Sequence, residues 1–294
     1  MNQFISICIP TYNQTTYLDL LMRSIVAQDY KQFEVVISDD SSTDDVFNLV
    51  NTYHNQLPGQ IRYYRNDPSL GSPANWNFAL GQARYEIVKI MHHDDYFTYP
   101  HSLRKFAEAI TSFSGNPAMV FSGGFTDNRG VFRNHTVSQE RAVEMFQNPV
   151  KIFNENIFGS PSSLCLSGIK AEYKENLTWL VDTELFYRLI KKIHNIRYID
   201  EPLITGVLSD HNLTNQLFEK AEIELQELRI ILKTIPYHRL SDQMALIKTI
   251  VNKLRKYGIY SNKQFAEQCP NTTMDKWFKL AIIMMKINFI INKR

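Results

Sequence analysis

Two adjacent carboxylates, Asp94 and Asp95, are the residues of this chain best placed to do chemistry. They follow the β-prone run Tyr85-Glu86-Ile87-Val88-Lys89-Ile90-Met91 and the pair His92-His93. A buried strand ending in acids puts negative charge at the rim of a sheet, where open α/β folds hold their ligands. Carboxylates this close repel unless a cation or hydrogen-bond donors offset them. Mg2+ or Mn2+ carrying a phosphate fits, because these ions take a few carboxylates plus substrate oxygens. The alternative is a solvated Asp-Asp turn with no ligand. Zinc is not expected, because His92 and His93 are strand neighbours pointing to opposite faces and no further nitrogen or sulfur ligands lie nearby.

Two other strand ends carry groups suited to a planar ligand. Ile9-Pro10-Thr11-Tyr12-Asn13 leaves a strand with a proline and then an aromatic face that can stack on a base. Taken alone, the segment reads better as a turn with a half-buried tyrosine. Asp40 could accept a hydrogen bond from a pyrimidine ring N–H. Alternatively, Asp39 and Asp40 lead into the next helix, where negative charge suits the dipole.

The elements that must position these groups alternate between two periods. Strands are predicted at Phe4–Ile9, Phe33–Ser38, Ile61–Arg65 and Tyr85–Met91. Helices are predicted at Thr15–Ala27, Thr43–Leu57 (capped by Thr43 or Ser42) and Ala74–Ala83. This rhythm is that of βαβ units, hence of a parallel sheet with right-handed crossovers, with both Asp-Asp pairs on one rim. A helix then runs from Pro100 to Phe113 and a strand from Ala118 to Gly123. Phe125–Val150 reads as an irregular insertion or β-ribbon suited to shaping a second substrate's pocket. A helix from Asp182 to Ile193 and strands at Ile196–Ile199 and Leu203–Leu208 follow. From Asn215 the pattern is helical, with Leu225, Leu228, Ile231 and Leu232 as an apolar stripe.

With 294 residues, 44% of them apolar, the chain has room for one large domain or one domain with a helical appendage. A net charge of +2 gives no global attraction to nucleic acid. Cys8, Cys165 and Cys269 lie far apart and read as buried hydrophobes of a reducing compartment. Met1-Asn2-Gln3-Phe4 has no signal-peptide pattern, and no stretch approaches the roughly 20 apolar residues of a membrane span. The expected location is cytoplasmic, with peripheral association at the inner face of the plasma membrane as an option.

Ser6-Ile7-Cys8-Ile9-Pro10-Thr11-Tyr12-Asn13 and Phe33-Glu34-Val35-Val36-Ile37-Ser38-Asp39-Asp40-Ser41-Ser42 together resemble the nucleotide-binding half of family 2 glycosyltransferases of GT-A fold. Gly71 followed by Asn75 and Asn77, and the Asp94-Asp95 pair, extend the likeness over residues 4 to about 210. The resemblance implies a Rossmann-like, mostly parallel sheet flanked by helices. It divides residues 1–210 into a nucleotide-binding half (about 1–115) and an acceptor half (about 116–210), with a helical region at 211–294. It also implies metal-dependent, inverting transfer of a sugar from a nucleoside diphosphate donor, UDP or dTDP, in bacterial surface polysaccharide assembly.

By the same resemblance, Pro10 and Tyr12 line the base pocket, Asp40 recognises the base, and Asn75 stands near the nucleotide. Asp94 meets the ribose or the metal. Asp95 and, from the C-terminal side, His211 hold Mn2+ or Mg2+. Asp182 matches the catalytic base; an acceptor hydroxyl needs one because its own pKa is far above 7. Asp182 also reads as a plain helix N-cap, and a helix N-terminus serves both roles. His92 and Val181 occupy places where relatives often carry acids, which leaves open a nucleotide-sugar-binding homologue impaired in catalysis. A sugar-phosphate nucleotidyltransferase is disfavoured, since Pro10-Thr11-Tyr12-Asn13-Gln14 lacks the glycine and lysine that hold a triphosphate. Expected partners are the donor and a saccharide or lipid-linked saccharide acceptor. Residues 276–294, basic and apolar without an acid, suit a membrane surface, packing on Leu246, Ile250 and Leu254, or a homodimer contact.

Overall fold

The computed structural model of the chain describes residues 3–113, 117–208, 221–234 and 240–291. β1 (Ile5–Thr11) and β2 (Phe33–Asp39) are buried at every position, as strands covered on both faces must be. Their side chains alternate between faces. Ile5, Ile7 and Ile9 join Leu18, Leu21 and Ile25 of α1 (Thr15–Val26) in one cluster, while Cys8 packs with Val36 and Ala79 on the other face. α2 (Asp45–Asn51), β3 (Ile61–Arg65), α3 (Ala74–Gly81) and β4 (Ile87–Ile90) complete a parallel unit in the order β3-β2-β1-β4. The register Ile5↔Ile87 through Cys8↔Ile90 ends β4 opposite Cys8, while β1 runs on to Thr11 opposite Asp39 of β2.

Beyond β4 the sheet becomes mixed. β5 (Asp95–Phe97), α4 (Ser102–Thr111), β6 (Ala118–Asn128), β7 (Val131–Asn134) and α5 (Gln139–Gln147) lead to β8 (Leu164–Ser167), α6 (Val181–Lys192) and β9 (Asn195–Val207). The order continues β4-β8-β6-β9-β5, with β8 antiparallel to β4 and β6, β6 parallel to β9, and β5 antiparallel to β9. Four described helices follow: α7 (Ala221–Leu232), α8 (Leu240–Lys256), α9 (Asn262–Gln268) and α10 (Lys276–Ile291). They share one apolar cluster with α6 and the inner face of β6 and β8, so Leu225, Leu228, Ile250 and Phe278 touch the same core as Phe121 and Phe186. The three cysteines are free and buried, as expected.

Several boundaries differ from the sequence reading. The second helix starts at Asp45, not Thr43, because the Thr43 hydroxyl donates to the Asp45 carboxylate (2.7 Å) instead of capping a backbone N–H. The fourth strand is shorter than Tyr85–Met91, and Asp95 opens antiparallel β5 instead of trailing a parallel strand. The stretch 125–150 is ordered as the end of β6, β7 and α5. The two late strand candidates form one strand, β9, whose register slips opposite Ser122–Gly124. β8 was not foreseen.

α7 carries two buried acids three residues apart, Glu224 and Glu227. Glu224 accepts from Lys253 (2.5 Å), Lys256 (3.0 Å) and the Tyr257 hydroxyl, tying α7 to α8. Burial opposes its ionisation, but Lys253, Tyr257 and Lys256 outweigh burial and hold the carboxyl at about 2. A depressed carboxylate contributes stability above its unfolded value and loses it as pH falls toward the folded one. Glu224→Ala should therefore cost about 3 kcal/mol in urea unfolding at pH 7. The wild-type advantage should shrink between pH 4.5 and pH 2.5.

Candidate active site

The rim is built from the turns that leave β1, β2 and β4. Asn13, with φ 49°, donates its N–H to the Ser41 hydroxyl (2.8 Å) and accepts from the Ser42 N–H (3.2 Å), so the turns after β1 and β2 are fastened together. Tyr12 stands on this turn and is 57% exposed. Pro10 is buried, and its carbonyl accepts from the His93 ring.

Asp40 and Asn75, both buried, form the floor. The Asp40 carboxylate accepts from Asn66 Nδ2 (2.7 Å) and from the N–H groups of Leu70 (3.2 Å) and Gly71 (2.8 Å). Gly71 lies at φ 74°, which a residue with a Cβ rarely adopts, so glycine is what lets this loop close on Asp40. Asn75 accepts from the Ser38 hydroxyl (2.5 Å) and donates to the Thr11 carbonyl (3.2 Å). Asn77 clamps the Tyr173 backbone from both sides, at 2.9 and 2.7 Å. All three side chains thus spend hydrogen bonds on the protein itself, which makes the floor rigid.

The two aspartates differ in environment. Asp95 is buried, accepts from the Ser160 hydroxyl (2.8 Å), and is hydrogen-bonded by Ser162. Burial, then the adjacent Asp94 charge, pushes its carboxyl up to about 7. Asp94, half-buried, is also pushed up by burial. Beneath them Lys89, 0% exposed in the middle of β4, donates to the carbonyls of Ile90 (3.1 Å), Ser162 and Leu164 (3.3 Å) and lies 4.5 Å from the Phe106 ring centroid. Burial lowers its ammonium to about 7, while the charge of Asp95 works the other way. His92 donates its N–H to the Ser162 hydroxyl (2.8 Å) and sets its ring 4.6 Å from that of Trp76. Its Nε2 is buried without a partner, and burial first, then His93 and Lys89, lowers the ring to about 3.

Asp182 lies in the first turn of α6, in electrostatic contact with both rim aspartates. Burial, then Asp95 and Asp94, pushes it up to about 7. It does not cap its helix: the N-cap is Leu180, and Asp182 Oδ1 is buried with no partner. Glu184, by contrast, is neutralised by Lys174 (2.8 Å) and Arg188 (3.0 Å). Tyr173, whose buried hydroxyl also lacks a partner, lies in electrostatic contact with Asp182 and edge-on to Trp76 at 5.1 Å.

The structure therefore brings Asp94, Asp95 and Asp182 into one electrostatic unit and places Pro10, Asp40 and Asn75 in the supporting floor. His211 lies outside the described residues. No cluster of three or more metal-binding side chains forms among the described residues. The two rim carboxylates are nevertheless hard oxygen donors whose raised pKa values a divalent cation would reverse, which fits Mn2+ or Mg2+ completed by substrate oxygens. Sequence reasoning missed Lys89, Ser160, Ser162 and Tyr173; only Lys89, a charge inside an apolar strand, left a readable sign.

This α/β architecture and rim define the GT-A fold. The structure is similar to S. aureus TarS 1–349 in complex with UDP-GlcNAc, with a TM-score of 0.67 and 19% identity over 95% of this chain and 79% of that one. It is also similar to the mannosyltransferase PcManGT of Pyrobaculum calidifontis in complex with GDP-Man and Mn2+, with a TM-score of 0.58 and 15% identity over 100% of this chain and 81% of that one. The chain belongs to glycosyltransferase family 2, whose model matches residues 6–172, more than half of its 294 residues.

Among curated relatives, the Campylobacter jejuni GalNAc(5)-diNAcBac-PP-undecaprenol β-1,3-glucosyltransferase is 26% identical over 64% of this chain and 65% of its own length. The poly(ribitol-phosphate) β-N-acetylglucosaminyltransferase TarS of Staphylococcus aureus is 37% identical over 43% of this chain and 22% of its own length. The matches span less than two thirds of the length of either relative.

Gly206 faces Asp95 across the β5–β9 pairing, and a Cβ there would lie 2.7 Å from Asp95 Oδ1. Gly206→Ala should displace that carboxylate and lower turnover about tenfold or more. The far-UV circular dichroism should stay unchanged.

Proposed function

We propose that this chain is an inverting glycosyltransferase that moves a sugar from a UDP- or dTDP-linked donor to an acceptor hydroxyl, with Asp182 as general base. The observation that carries the reading is Asp182 itself. Its buried oxygen has no partner, and its charge couples to the Asp94–Asp95 pair. In the proposed step the acceptor proton passes to Asp182 as the acceptor oxygen bonds to the anomeric carbon. The bond from that carbon to the diphosphate oxygen breaks, and its electron pair leaves with the nucleoside diphosphate. Displacement from the opposite face inverts the centre.

Asp94 and Asp95, with His211, would hold Mn2+ or Mg2+. When bound, such an ion supplies charge neutralisation for the diphosphate. Of the pair, Asp94 has the freer carboxylate, since Asp95 is engaged by Ser160 and Ser162. Tyr12 offers its exposed ring to the base, and Asp40 and Asn75 fix the loop beneath it. The two bacterial relatives, named for a GalNAc(5)-diNAcBac-PP-undecaprenol and a poly(ribitol-phosphate) acceptor, support a saccharide or lipid-linked saccharide acceptor in surface polysaccharide assembly.

The location proposed is the inner face of the plasma membrane. No helix among the described residues is long and apolar enough to cross a bilayer. α10 instead buries Phe278, Ala281, Ile282 and Met285 in the core and leaves Leu280, Ile283 and Ile287 38%, 52% and 49% exposed on its outer side. Lys276, Lys279 and Lys286 are exposed on the same helix, a combination that complements an anionic lipid surface.

Three outcomes test the reading. Asp182→Asn should lower kcat roughly a thousandfold while UDP affinity stays within about twofold. Because the base must be ionised, wild-type kcat/KM should fall as pH drops below about 7, the value to which Asp182 is raised; a flat profile from pH 8 to 5 contradicts the assignment. Ile283→Asp should abolish flotation with phosphatidylglycerol vesicles. Binding equal to wild type, or loss of a dimer in its place, would reject the membrane face.

A further inference from the structure

An α-helix begins with backbone N–H groups that need an acceptor, and its N-terminus favours negative charge. In α6 the nearest acid is Asp182, which would ordinarily be drawn into that service. The structure supplies a different anion. Glu227, buried on α7, accepts from three consecutive N–H groups leading into α6. They are Thr178 (2.5 Å), Trp179 (2.9 and 3.1 Å) and Leu180 (2.7 Å). Both carboxylate oxygens are used, so the loop leading into α6 and its N-cap Leu180 are held against α7. Three residues earlier on α7, Glu224 is anchored to Lys253 and Lys256 of α8. Lys256 also lies 5.9 Å from the centroid of Trp179, so α8 closes over the same segment.

We infer that Glu227 is a positioning residue for catalysis: by acting as the N-terminal anion of α6 from another helix, it leaves the Asp182 carboxylate free and fixes its direction into the rim. The inference rests on the proposed role of Asp182 as base. It makes the helical region after the sheet part of the catalytic apparatus, acting through α6 without touching substrate. Without Glu227, three buried N–H groups lose their acceptor, and Asp182 is the acid close enough in sequence to turn back toward them. A general base turned away from its acceptor loses the orientation on which proton transfer depends.

The test compares Glu227→Ala, Glu227→Gln and Asp182→Asn in the full chain. Turnover is followed as UDP released from a UDP-sugar with Mn2+ and water as acceptor, and UDP affinity is followed by calorimetry. Glu227→Ala should lower kcat about a hundredfold with UDP-sugar KM and UDP affinity within about twofold of wild type. Glu227→Gln, which keeps one acceptor oxygen, should recover part of that loss. If Glu227→Ala fails to fold, the same split between kcat and UDP affinity is read on Glu227→Gln alone. Unchanged kcat in both variants, or loss of UDP affinity in proportion to kcat, would overturn the positioning role. The two readings separate cleanly: an active Asp182→Asn removes the base assignment and this inference with it. An inactive Asp182→Asn beside fully active Glu227 variants removes only the inference.

Discussion

The burial of Asp94, Asp95 and Asp182 beside one another is the constraint on which the rest of this structure depends. Burial raises all three, and the charges of Asp94 and Asp95 raise Asp182 further. Such a cluster is costly without compensation, because desolvation and like charge act in the same direction. The protein offsets only part of that cost. Ser160 and Ser162 donate to Asp95, and Lys89 lies buried below. Lys89 is itself pressed toward neutrality by burial, so the rim stays short of positive charge. The divalent cation and diphosphate proposed above would offset the remainder.

The fold accordingly has two tasks: to hold the carboxylates close, and to keep everything around them still. The β5–β9 pairing and α6 do the first, since Asp95 opens antiparallel β5 opposite Gly206 and Asp182 lies in the first turn of α6. Internally satisfied polar groups do the second. Asp40, Asn75, Asn77, Glu184, Glu224 and Glu227 are each bound to named partners within the chain. The unpartnered atoms at the rim, His92 Nε2, Tyr173 Oη and Asp182 Oδ1, stand out against that background. A buried polar atom without a partner costs stability unless a ligand supplies one.

The parallel half was legible in the sequence because strands covered on both faces read as continuous apolar runs with abrupt acidic ends. β8 was not, because Leu164–Ser167 is four residues long beside a serine-rich loop and offers no period to read. β9 read as two strands because its bulged middle, Asp200-Glu201-Pro202, interrupts the pattern. Asp94 and Asp95 were singled out from local context and Asp182 by the family resemblance, which also gave each an expected role. Their surroundings were not legible, because they depend on contacts from distant parts of the chain. Ser160 reaches Asp95 across 65 positions, and Glu227 reaches Thr178 across 49. Asp182 read as a possible N-cap for the same reason: the true anion of that helix lies on α7.

Asp95 and Asp182, both raised to about 7, should be partly protonated at pH 7 until a cation and diphosphate arrive. Calorimetry of UDP binding with Mn2+, repeated in buffers of different ionisation enthalpy, measures the protons exchanged on binding. A net release of protons at pH 7 that disappears by pH 9 is the predicted result. No release at pH 7, or net uptake, would contradict it.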